Sequence, residues 1–76
     1  MEKIILPELG EGIEEAVISL WHVAVGDDVK KGDDIVEMVT DKAAFNVPSP
    51  VSGIIKNIIH PEGDTVKIGS ILAEVG

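Results

Sequence analysis

The sequence predicts an all-β domain, a sandwich whose two halves are related by an approximate twofold axis. Three observations carry this. Apolar residues make up 45% of the chain and are mostly Ile and Val, with a single Trp and a single Phe, a bias that favours strands over helices. Apolar and polar positions alternate in short runs cut by Gly, Pro and Asp, at the spacing of an all-β fold, and no helical period competes. The chain also repeats itself. GDDVKKGDDIVEMV from Gly26 lines up with GDTVKIGSILAEVG from Gly63, 37 residues on, with Gly, Asp, Val, Lys, Gly and Glu in register.

Taken in order, the predicted strands are Lys3–Leu6, Ala16–Val23, Ile35–Thr40, Ala44–Val47, Gly53–Ile59 and Ile71–Val75. Pro48 and Pro50 break any ladder between the fourth and the fifth, and Gly26, Gly32, Gly63 and Gly69 fall where turns are needed. If the first half carries a four-residue insertion, LPELGEGIEEAVI from Leu6 also resembles VPSPVSGII from Val47, with Pro7 opposite Pro48. Two copies are too few for a solenoid, so a pair of half-domains sharing one core is the economical arrangement. Val39 to Ala44 is the joint between the copies, and the corresponding end of the second copy is Gly76. Symmetry therefore puts the joint and the two termini at opposite ends of the domain, with Lys42 projecting alone from one of them.

Length and charge set the remaining bounds. A chain of 76 residues holds one domain, residues 1–76. A domain this size buries only about 60% of its unfolded surface. There is no cysteine, so packing alone must stabilise it. No run reaches the ~20 apolar residues of a membrane span, and the N-terminus lacks signal-peptide features, which predicts a soluble, cytoplasmic protein. A net charge of −8, from 14 acids and 6 bases, repels nucleic acid and anionic membranes.

Few residues are placed for chemistry. His22 and His60 have no partner set at metal-ligand spacing, and Asp27, Asp28, Asp33 and Asp34 lack the calcium-loop pattern and read as solvated turns. No serine lies in a nucleophile motif, and no Gly-rich phosphate loop precedes a helix. A lysine nucleophile needs burial or a neighbouring cation, whereas Lys42 follows Asp41. Turn propensity alone makes Lys42 a solvated loop lysine on a hairpin without the usual Asn-Gly or Asp-Gly signal, so the surrounding fold must enforce the turn.

Thr40-Asp41-Lys42-Ala43, followed by Pro48-Ser49-Pro50 and Gly53 and preceded by Leu9-Gly10-Glu11-Gly12, Trp21 and Val25-Gly26-Asp27, resembles the lipoyl domain of 2-oxo acid dehydrogenase complexes over essentially the whole chain. The resemblance implies a flattened barrel of two four-stranded antiparallel sheets, a barrel-sandwich hybrid, with two further short strands near Val29 and Val66. It implies that Lys42 takes lipoic acid as a lipoyl amide, with Asp41 and Ala43 as the flanks read by a lipoate ligase or lipoyltransferase. The domain would be a swinging-arm carrier within a dihydrolipoyl acyltransferase, not catalytic on its own and monomeric when isolated. Its partners would be a thiamine-diphosphate decarboxylase, the acyltransferase core and the flavoprotein dihydrolipoyl dehydrogenase, among which the arm passes acyl groups and electrons. One position departs from the pattern: the family commonly has Glu before Thr-Asp-Lys-Ala, and this chain has Val39.

Three other readings compete. A biotinyl carrier domain resembles this fold but usually has Met on both sides of its lysine, where this chain has Asp41 and Ala43. An unmodified module could use its acidic face to dock a basic protein. A glycine-cleavage carrier would be a longer chain with added helix.

Overall fold

The computed structural model describes residues 1–76. It contains eight strands and no helix: β1 (Glu2–Ile5), β2 (Glu15–Trp21), β3 (Asp28–Val29), β4 (Asp34–Val39), β5 (Ala44–Pro48), β6 (Gly53–Ile58), β7 (Thr65–Lys67) and β8 (Ile71–Val75). All six strands expected from alternation are present, and β3 and β7 are the two short ones near Val29 and Val66. Most strand ends differ from expectation by one or two residues, and two of the differences have a chemical reason. β4 stops at Val39 because the Thr40 hydroxyl turns to the amides of the following bend. β5 runs on through Pro48, which is tolerated because β5 is an edge strand and a proline there forfeits no inner ladder bond. No helix is long and apolar enough to cross a membrane.

The strands form two four-stranded sheets, ordered β1-β8-β6-β3 and β5-β4-β2-β7, and every pairing is antiparallel. Advancing each strand by half the series, so that β1 becomes β5 and β8 becomes β4, turns the first order into the second. The predicted twofold relation is thus present in the connectivity. It reaches individual hydrogen bonds. Gly26 N–H donates to Ile55 O at 2.8 Å and Gly63 N–H to Ile18 O at 2.8 Å. His22 N–H donates to Ile35 O at 2.9 Å and Ile59 N–H to Leu72 O at 2.9 Å.

The same bonds correct the expected alignment of the two loops. Leu6 N–H donates to Ser70 O where Ser49 N–H donates to Asp33 O, and Gly69 N–H donates to Leu6 O where Gly32 N–H donates to Ser49 O. Leu6 therefore corresponds to Ser49, and Pro7 to Pro50 rather than Pro48. The offset is 43 residues before the loop and 37 after it, so the first half carries six extra residues, not four. Sequence matching paired Pro7 with the first available proline, whereas the backbone ladder selects the second.

The core obeys the symmetry with two exceptions. Its 14 buried apolar residues include the equivalent pairs Ile4 and Val47, Ile18 and Ile55, Val29 and Val66, Ile35 and Leu72, Val36 and Ala73, and Met38 and Val75. Each full burial of such a side chain contributes about 1.5–3 kcal/mol. The two unpaired members are Leu6 and Ala16. Opposite Leu6 stands Ser49, the one buried polar residue, whose hydroxyl donates to Val51 O at 2.6 Å. Opposite Ala16 stands Gly53, where an added Cβ would lie 2.8 Å from Val75 Cγ1 and 2.9 Å from Gly76 O.

Candidate functional site

The β4–β5 hairpin brings Asp41, Lys42 and Ala43 to an exposed tip. Its stem is fixed by the register Val36↔Val47, Glu37↔Asn46, Met38↔Phe45 and Val39↔Ala44, with Met38 and Val47 buried in the core. Such a stem holds the root of the tip rigidly while its alternate side chains face solvent. No residue other than glycine has a positive φ, so the bend is not one of the glycine-requiring hairpin turns.

Thr40 closes the turn. Its backbone N–H donates to Ala43 O at 2.8 Å, and its Oγ1 accepts from Lys42 N–H at 3.2 Å and Ala43 N–H at 3.1 Å. The hydroxyl also lies 3.2 Å from Ala43 O, to which it donates. In an ordinary β-turn the Ala43 N–H would go to the Thr40 carbonyl; here the side chain takes its place. The expectation that only the surrounding fold enforces the turn therefore missed a local device. Its trace in the sequence is a Thr directly before Asp41-Lys42-Ala43, a position that alternation assigns to the end of a strand.

Neither the Asp41 carboxylate nor the Lys42 amine enters a hydrogen bond or an ion pair. The Lys42 amine is thus exposed and unencumbered. Beside the tip lies a cleft of about 630 Å³ lined by residues that include Ile13, Glu14, Asp41 and Lys42, with Val17 and Val39 paired side by side across β2 and β4. Its loop wall is where the six extra residues of the first half are spent, with Leu9 packed against the core and Glu14 O accepting from Ile68 N–H at 3.0 Å. Gly12 needs its φ of 82°, a left-handed conformation that side chains resist. Val39 is half-buried beside Val17 on the outer face, so the position where Glu is common extends an apolar floor toward the lysine.

The other sequence candidates are dispersed. His22 Nε2 pairs with Asn46 Oδ1 at 2.8 Å and His60 Nδ1 with Asp64 Oδ2 at 3.2 Å, and no group of ligating side chains gathers for a metal. Asp27 and Asp33 lie in exposed turns as expected, where each accepts a backbone N–H at 2.9 Å, from Ala24 and Lys30, whereas Asp28 and Asp34 are the first residues of β3 and β4 rather than turn residues.

The fold and the tip together define a presenting module: a β scaffold that places one of its six exposed lysines at the tip of a hairpin. Residues 2–75 match the Biotin_lipoyl family model, described as "Biotin-requiring enzyme". The chain is 44% identical over 71 residues to the dihydrolipoyllysine-residue acetyltransferase component of the pyruvate dehydrogenase complex of Corynebacterium glutamicum, covering 93% of this chain and 10% of that protein. It is 43% identical over 76 residues to the dihydrolipoyllysine-residue succinyltransferase component of the 2-oxoglutarate dehydrogenase complex of Staphylococcus saprophyticus, covering 100% of this chain and 18% of that protein. The solution structure of the lipoyl domain of the 2-oxoglutarate dehydrogenase complex from Azotobacter vinelandii superposes with a TM-score of 0.78 at 34% identity, over 97% of this chain and 94% of that one. The chain belongs to the biotin/lipoyl attachment family, with the fold of a lipoyl domain. It spans less than a fifth of the curated relatives.

Proposed function

We propose that this domain is a lipoyl carrier and that Lys42 is its attachment residue. The observation that carries the reading is the place of Lys42, alone among the six exposed lysines at the tip of the β4–β5 hairpin, with Asp41 and Ala43 as its flanks. An amine so placed fits acylation by lipoic acid, since nothing has to be displaced to reach it. When bound, lipoamide supplies the chemistry through its dithiolane, which takes up an acyl group and two electrons. The chain's own residues fix the base of the arm: Met38 and Val47 root the hairpin, and Thr40 shapes its end.

The relatives are acyltransferase components of complexes acting on different 2-oxo acids, pyruvate and 2-oxoglutarate. Partners of this domain would accordingly be a lipoate ligase or lipoyltransferase, a thiamine-diphosphate decarboxylase, an acyltransferase core and dihydrolipoyl dehydrogenase. Tethering such a domain to its core would raise the local concentration of the arm at each active site. Asp41 and Ala43 favour lipoate over biotin, because Met on both sides of the lysine is the biotinyl pattern.

Incubation with lipoate, ATP and a lipoate ligase is expected to add one lipoyl group, located on Lys42 by peptide mass spectrometry. Lys42→Arg abolishes the adduct and leaves the melting temperature unchanged. An adduct on another lysine, or a stronger streptavidin signal after biotin ligase than lipoyl incorporation by its ligase, overturns the reading.

A further inference from the structure

We infer that Thr40 is a positioning residue for the modification of Lys42, acting through the backbone amides of the tip. The inference rests on the carrier reading above and adds a residue to it. A modifying enzyme must bring the Lys42 amine to an activated acyl group, so the path of residues 41–43 decides where the amine arrives. Glycine does not set that path, and neither does a charged contact, since Asp41 and Lys42 have no partners. What does set it is one side-chain oxygen that accepts from Lys42 N–H at 3.2 Å and Ala43 N–H at 3.1 Å while donating to Ala43 O at 3.2 Å. Both amides point inward to this oxygen, which fixes the orientation of the peptide planes on either side of Lys42. The backbone bond from Thr40 N–H to Ala43 O, at 2.8 Å, does not involve the hydroxyl and closes the hairpin without it.

Removing the hydroxyl should therefore leave the stem intact and release the tip to sample other bends. An enzyme that binds one bend pays for that sampling in apparent affinity, by the fraction of molecules in the competent form. Three lost hydrogen bonds on a half-exposed turn reduce that fraction on the order of tenfold. Once bound, the tip is in the same place, so turnover is retained.

The experiment compares the wild type, Thr40→Val and Thr40→Ser. Lipoylation by a lipoate ligase is followed as a function of domain concentration, and exchange of the Lys42 and Ala43 amides with solvent is measured by NMR on the unmodified domain. For Thr40→Val, the expected result is a KM raised about tenfold with kcat within about twofold of wild type, faster exchange at both amides and a melting temperature lowered by less than about 10 °C with the fold retained. Thr40→Ser, which keeps the oxygen, restores KM and exchange. Wild-type KM in Thr40→Val, or unaltered exchange at the two amides, overturns the assignment. Failure of the wild-type domain itself to be lipoylated at Lys42 overturns the carrier reading and this one with it, and is told apart because it appears without any substitution.

Discussion

The loop after β1 and the loop after β5 occupy equivalent places in a nearly symmetric molecule, and they have been built to different ends. The second is the shorter: Ser49 is buried, its hydroxyl donates to Val51 O, and Gly53 follows immediately at a point where no Cβ fits. The first has Leu6 and Ala16 at those positions and six more residues between them, and those residues form a wall of the cleft at the lysine tip. Burial explains why the cores agree, since both halves must fill one shared interior. The disagreement starts at two core positions, Leu6 opposite Ser49 and Ala16 opposite Gly53, and is largest in the six extra residues beside the Lys42 tip. A duplicated scaffold can be specialised at one end without disturbing the packing that both ends share.

Substitutions can break this comparison, and Gly53→Ala should have the largest effect. Its added methyl would press on Val75 and on the Gly76 carbonyl, so a loss of about 1–3 kcal/mol is expected by urea denaturation. Ala16, at the equivalent place, already carries that methyl, so the cost measures how far the two sides of the core have diverged. Ile18→Val and Ile55→Val sharpen the comparison from the other direction. Both side chains are fully buried at matched sites, and each substitution is expected to cost about 1 kcal/mol, with midpoints that agree within error. Unequal costs would mean that the halves pack less alike than their backbone bonds do. Ser49→Ala should matter least, below about 1 kcal/mol, because Val51 is only partly buried and its carbonyl can turn to water.

Much of this was legible in the residues. The Gly-Asp turns at 26 and 63 announced the duplication because a left-handed bend tolerates few alternatives, and both glycines have a positive φ, 97° and 93°. Alternation located the six longer strands. It could not locate β3 and β7, of two and three residues, which are too short to display a period and were supplied by the family resemblance. The loop offset was misjudged by two residues because prolines match one another in sequence, whereas backbone hydrogen bonds decide equivalence in space. Symmetry singled out Lys42, yet propensity gave it no role beyond solvation, and its assignment came from the flanking motif. Thr40 stayed hidden because a hydroxyl's partners depend on a bend that only the folded hairpin defines.

The exchange of strands has one more consequence. Each half contributes two strands to each sheet, and four of the six ladders, β1–β8, β4–β5, β3–β6 and β2–β7, join one half to the other. The halves are clasped rather than laid side by side. Cutting the chain within the lysine turn would yield two fragments, each holding two strands of each sheet, which the four shared ladders are expected to keep associated. The peptide link that carries Lys42 is thus not what holds the molecule together, and a hairpin tip relieved of that duty is free to vary in shape without loosening the fold.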